Sequence, residues 1–322
     1  MKLLCRIFTG LIALTSFAIA QPPKVVTDIS PVHSLAARVM DGIGTPDLIV
    51  SPGATAHNYT IKPSVAAALE QAQLVFQIGA GLTPWLDQPL KNLAVDANIV
   101  ELMETAGTTR LDLRKETMFE VPDNDHETTH DESYESNAAS SEHHSEHGHH
   151  NDIDPHGWLD PRNGQIWLDI MATELARIDP VNATAYYQNA SAGKAELEET
   201  IVSITTLLEP ALNQQFIVFH DAYRYFENRF KLPVLGAISM SDATPPSPAR
   251  VAAIRAKTAS LHIACVFAEP QFQTGLVSTV IEGSGAASAV IDPMGAELEL
   301  GPNLYPQLLK NMASQVASCW QK

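Results

Sequence analysis

Between Glu120 and Asp154 the chain carries seven histidines and eleven acidic residues, with no Lys or Arg among them. The histidines are His126, His130, His143, His144, His147, His149 and His150. Imidazole and carboxylate at this local density have one obvious chemical use, which is to hold divalent metal. Almost no apolar side chains accompany them, so burial cannot offset the entropy of ordering the segment. The stretch at about 120–152 is therefore expected to be a mobile, disordered loop with an accessory metal role. The plain alternative is a solvated acidic linker that happens to carry histidine.

Four further residues stand out by position more than by spacing. His57 follows an extended segment at 47–52, within Gly53-Ala54-Thr55-Ala56-His57-Asn58-Tyr59. His156 follows the tract directly, within Asp154-Pro155-His156-Gly157-Trp158-Leu159-Asp160-Pro161. His220 closes an apolar run at 216–220, and Asp292 closes another at 288–292. In open parallel sheets the carboxyl ends of strands face the ligand crevice. Two of the four come from each half of the chain, so a site across an interdomain cleft is expected. Singly each signal is weak: a strand-end histidine is more often structural, and Asp-Pro is a common turn opener. No local metal motif such as His-Glu-x-x-His is present. Trp158 and Tyr223 are read as walls of the site. Asp221 either orients a ligand histidine or caps a helix, and Glu269 serves either the site or a turn. His33 is a lesser candidate for the cleft, and His262 is read as structural.

The elements that must position these residues alternate. Strands are expected at 24–30, 47–52, 74–79 and 98–102, then at 216–220, 233–239, 264–269 and 288–292. Helical patterns lie at 33–41, 62–72, 84–91, 166–177, 222–230, 248–259 and 275–283. Continuous apolar strands interleaved with helices imply α/β architecture with parallel sheets covered on both faces. One long helical pattern at about 181–209 separates the halves, with Ala183, Tyr186, Ala190, Leu197, Ile201, Ile204 and Leu208 mostly three, four or seven apart. Asp179-Pro180 starts it and Pro210 stops it, and it would be roughly 40 Å long. Gly193 in its middle weakens the pattern. The expected organisation is a leader at 1–20, an N-terminal lobe at 21–179, a linking helix at 180–209 and a C-terminal lobe at 210–322.

The leader reads as a secretory signal: Lys2 and Arg6, an apolar run at 11–19, and Ala18-Ile19-Ala20 before Gln21. Periplasmic export is the expectation. Cys5 would leave with it, and Cys265 and Cys319 in an exported chain are most simply a disulfide. The formal net charge is −17, of which the acidic tract supplies 11, and this argues against nucleic acid or anionic lipid as a partner.

Several stretches together resemble the zinc-specific solute-binding proteins of bacterial ABC importers, within a wider zinc- and manganese-binding group. They are the His57-x-Tyr59 loop, His156-Gly157-Trp158-Leu159-Asp160-Pro161, Phe219-His220-Asp221-Ala222-Tyr223-Arg224-Tyr225-Phe226, Cys265-Val266-Phe267-Ala268-Glu269-Pro270-Gln271-Phe272, Ile291-Asp292-Pro293 and Ala317-Ser318-Cys319. The resemblance runs from Val25 to Cys319, with the histidine tract as a family insertion. It implies two α/β lobes joined by one rigid helix, with metal held between them by His57, His156 and His220 and with Asp292 in or beside the fourth position. Some relatives carry Glu directly before the first ligand histidine; here that residue is Ala56, leaving Asp292 or water to complete the site. The manganese branch typically has Glu where His220 stands. Three neutral imidazoles with at most one carboxylate suit Zn²⁺. The expected function is capture of zinc and its delivery to a membrane permease by a monomeric, non-enzymatic carrier. The alternatives are a manganese or iron carrier of the same family and, less strongly, a zinc-dependent hydrolase.

Overall fold

In the computed structural model of the chain, residues 21–114, 153–240, 246–272 and 274–319 are described. The leader and all seven tract histidines lie outside them. Two four-stranded sheets, both fully parallel, form the scaffold. The first contains β1 (Val25–Thr27), β2 (Asp47–Leu48), β3 (Leu74–Gln77) and β4 (Asn98–Glu101), in the order β2-β1-β3-β4. Its connections carry α1 (Ser30–Val39), α2 (Pro63–Gln71) and α3 (Asp87–Leu93). The second contains β5 (Phe216–His220), β6 (Val234–Ser239), β7 (Cys265–Ala268) and β8 (Ala287–Val290), in the order β6-β5-β7-β8. Its connections carry α6 (Arg224–Phe230), α7 (Pro248–Ser260) and α8 (Thr274–Ile281). Between the sheets run α4 (Pro161–Ile178) and α5 (Ala183–Leu208), and α9 (Leu304–Ser318) comes last. In each sheet the chain steps from its first strand to one side and then crosses to the other. The carboxyl ends of β1 and β3, and of β5 and β7, therefore flank a topological switch point, where parallel sheets open a ligand crevice.

The apolar runs of the second sheet are explained by burial on both faces. Phe216 and Val218 of β5 point into the main core, while Ile217 and Phe219 point into a smaller one with Ile254 of α7 and Val277 and Val280 of α8. The main core is continuous across the molecule, from Val25 and Phe76 through Trp167 and Leu197 to Phe216 and Tyr305. An interior shared in this way ties the halves together far more firmly than a polar interdomain contact would.

Boundaries differ from the sequence expectation in instructive places. The helix expected at 166–177 begins at Pro161, because the Asp160 side chain accepts the Arg162 N–H as an N-cap and Pro161 fits the first turn. The strand expected at 47–52 pairs as a strand only at Asp47–Leu48, although Ile49 and Val50 still donate to the carbonyls of Thr27 and Asp28. The long helix spans 26 residues. Gly193 interrupts nothing: a Cβ there would stand 3.0 Å from Leu168 and Arg38 side-chain carbons, so glycine allows α5 to lie close against α1 and α4. Cys265 of β7 and Cys319, just after α9, form the expected disulfide with their Cα atoms 6.2 Å apart. Among the described residues, no helix is long and apolar enough to cross a membrane.

Candidate metal centre

The fold brings His57, His156 and His220 to one place. His220 is the last residue of β5, a central strand, and is 4% exposed. His156 stands at the entry to a single 3-10 turn (Gly157–Leu159) that leads into α4, and is 6% exposed. His57 sits in the turn-rich loop after β2 and is partly exposed. The Trp85 indole N–H donates to the Ala56 carbonyl at 2.7 Å, and the Tyr59 hydroxyl meets that of Ser51, fixing the loop on either side. The His57 and His156 ring centres are 5.7 Å apart, and those of His156 and His220 are 5.4 Å apart. Among the described residues no three metal-binding side chains already close around one point. For these two pairs the remaining distance is small: a tetrahedral ion held by imidazole nitrogens at about 2.1 Å would set ring centres roughly 5.2 Å apart. All three rings line a cavity of about 20 Å³, together with Trp158, Gln271, Pro293 and Met294. That volume holds one water-sized species and little more.

Hydrogen bonds orient two of the rings. His156 Nδ1 lies 2.7 Å from Asp154 Oδ1, which also accepts the His156 backbone N–H at 2.9 Å. His220 Nδ1 lies 2.5 Å from Glu269 Oε1, just past β7. An ionised carboxylate only accepts, so each Nδ1 carries the proton and each Nε2 keeps its lone pair. Carboxylates placed this way fix the tautomer and raise the basicity of a ligating imidazole. Gln271 Nε2 donates to the other Glu269 oxygen, and Tyr223 packs edge-on to His220 with ring centres 6.3 Å apart. Burial, with Glu269 and Asp292 nearby, pushes the Tyr223 phenol well above its ordinary pKa. It stays neutral against His220 and, unlike Trp158, is not among the residues that line the cavity.

Asp292 follows β8 and opens the turn whose Pro293 and Met294 line the cavity. Its carboxylate accepts three backbone N–H groups, from Met294, Gly295 and Ala296. Asp221, adjacent to His220, turns toward Arg114 instead of toward a histidine, with Arg114 Nη1 donating at 2.8 Å. Arg114 also pairs with Glu227. Burial pushes the Glu227 carboxyl up to about 7 against the pull of Arg114, and it raises Asp221 as well. His33 is buried away from the cavity, with Nε2 on the Pro46 carbonyl at 3.1 Å. His262 lies exposed in a turn after α7 with φ +52°. Sequence reasoning missed Asp154 as a partner of His156, although its place two residues before the histidine was the available signal.

Residues 25–319 match the family described as the zinc-uptake complex component A, periplasmic, or ZnuA. The chain belongs to the ZnuA family. It is 40% identical to the high-affinity zinc uptake system protein ZnuA of Brucella suis, over 92% of each chain. A crystal structure of ZnuA superposes with a TM-score of 0.72 at 23% identity, covering 92% of this chain and 98% of that one. The solute-binding protein FpvC of Pseudomonas aeruginosa, solved in complex with Mn²⁺, superposes with a TM-score of 0.74 at 17% identity, covering 94% and 99%. The ZnuA fold is thus shared with a manganese-bound relative, and metal choice has to be argued from the donor set.

Proposed function

We propose that this ZnuA-family protein captures one Zn²⁺ between its lobes through His57, His156 and His220 and hands it to the permease of an ABC importer in the periplasmic space. The carrying observation is the three imidazoles around a cavity for one ion, two of them turned by carboxylates so that Nε2 faces a ligand. Neutral nitrogen donors at tetrahedral spacing suit zinc, whereas manganese favours more oxygen. Three of the roughly four acceptor sites on the Asp292 carboxylate are filled by backbone donors. We therefore give the fourth position to water and have Asp292 shape the turn beside it.

A hydrolase needs room for its substrate beside the metal. Among the described residues a larger cavity, about 240 Å³, is lined by residues such as Gly79, Glu101, Glu104 and Pro155 and by none of the three histidines. The space among the three histidines, about 20 Å³, suits one ion with its water. Transport, with the lobes at 21–179 and 210–322 holding the ion between them, is the reading that fits, and the tract histidines act as accessory ligands outside that site.

The test is zinc titration against a competing chelator, on mature protein and on protein lacking residues 120–152. One tight site is expected in both, and its loss on deletion would overturn the assignment. His220→Ala should weaken binding beyond the roughly 10–100-fold expected for loss of an outer partner. Asp292→Asn should cost less than His220→Ala, and His143→Ala should change tight binding by less than about twofold, as expected outside the ligand sphere.

A further inference from the structure

We propose that Tyr225 and Arg229, both on α6 of the C-terminal lobe, are positioning residues that hold His156 in its ligating pose. The inference rests on His156 being a ligand. His156 belongs to a segment that precedes α5 in the chain, so its own lobe would be expected to place it. The hydrogen bonds add a hold from the other lobe. Ring and backbone of His156 are both governed by Asp154, whose Oδ1 accepts from Nδ1 and from the backbone N–H. Asp154 is held from both lobes: its backbone N–H donates to the Leu111 carbonyl at 2.8 Å, and the Tyr225 hydroxyl donates to its carbonyl at 2.9 Å while accepting the Leu111 N–H at 2.9 Å. Tyr225 and Asp154 are each 1% exposed, so the Asp154 carbonyl has no water to fall back on if that oxygen is removed.

Arg229 clamps the other end of the same turn. Its Nε and Nη2 donate to the two oxygens of Asp160 at 2.7 Å each, a bidentate fork on the residue that caps α4. The turn from His156 to Leu159 is thereby held at both ends from α6, while Asn163 and Tyr305 donate to the Gly157 and Trp158 carbonyls within it. His220 lies on β5, directly before α6 in the chain. The same lobe therefore carries one imidazole and sets the pose of another, and His57 is the ligand on a separate, partly exposed loop. Deleting the phenol oxygen should let Asp154 drift, and with it the imidazole.

A double-mutant cycle separates this role from simple loss of stability. Zinc affinity is measured by chelator competition for the full chain, Tyr225→Phe, His156→Ala and the double variant. Tyr225→Phe is expected to weaken zinc binding by about tenfold, the lower end for an outer partner, and to have no further effect once His156 is alanine. Tyr186→Phe removes an equally buried phenol oxygen, one that donates to Asp179 far from the site, and should leave affinity unchanged. Equal losses in both backgrounds, or no loss in either, would overturn the proposal. Unchanged affinity in His156→Ala alone would instead overturn the ligand assignment, a separate failure. If thermal melting shows that Tyr225→Phe does not fold, Arg229→Lys, which keeps the charge and breaks the fork, runs through the same cycle with the same criteria.

Discussion

At the scale of single residues, chemistry here depends on which nitrogen of an imidazole holds its proton. Asp154 and Glu269 decide this for His156 and His220 by accepting from Nδ1. Glu269→Gln replaces an obligate acceptor by an amide that can also donate, so zinc affinity should fall by about 10–100-fold, read by chelator competition. Zinc binding should also weaken as pH falls through about 6.5, because ligand imidazoles must be neutral; a flat titration between pH 7.5 and 5 would contradict histidine ligation. His33 predicts a separate effect on folding. Burial holds its pKa below the ordinary value, so it stays neutral in the folded chain while the unfolded chain takes up a proton below about 6.5. The unfolded state then binds more protons, and stability is lost on the acid side. Metal-free protein should melt lower at pH 5.5 than at 7.5, with a smaller drop in His33→Gln. The three histidines could be picked from the sequence because each lies at or just past a strand or tract end. Glu269 could not be assigned, since it is 49 residues from His220 and only the neighbouring β5 and β7 make them partners.

Elements hold the site by close approach and by covalent tie. Gly164 of α4 lies against the Tyr305 ring of α9, where a Cβ would come within 2.7 Å of a ring atom. Tyr305 in turn donates to the Trp158 carbonyl at 2.5 Å, in the turn that follows His156. Gly164→Ala should therefore destabilise the protein by about 1–3 kcal/mol through overpacking, despite the better helix propensity of alanine, and denaturant melts would show it. The Cys265–Cys319 link anchors α9 to β7 across 54 residues of chain. Replacing both cysteines by alanine should lower stability by about 2–4 kcal/mol in the same measurement. The helix start at Ser247-Pro248 was legible from its cap and proline, whereas at Asp160-Pro161 the same signal was present but the apolar periodicity placed the start at 166. The close contacts at Gly164 and Gly193 were not, because a lone glycine in a helical pattern does not say what packs on it.

Across the whole molecule, the two sheets share one apolar interior through α4, α5 and α9. A shared core should melt as one unit, so calorimetry of metal-free protein is expected to show a single transition and not two. Zinc at the three-histidine site requires the folded state and should raise that transition, by up to about 4 kcal/mol of stability at a thousandfold excess over the dissociation constant, less what the tract histidines bind in the unfolded chain. Such an interior also makes wide hinge motion costly, which puts the burden of capture and release on the His57 loop and on the mounting of His156.

The alternation of strands and helices, the long central helix and the candidate histidines could be read from the order of residues alone. Those properties are written in local periodicity, residue type and position along the chain. It took the folded chain to show that Asp154 and Glu269 orient two imidazoles, that Asp221 serves Arg114, and that α6 reaches across to the turn bearing His156. These are pairings between residues from two to more than a hundred positions apart, and no local pattern encodes which carboxylate a folded chain brings to which ring.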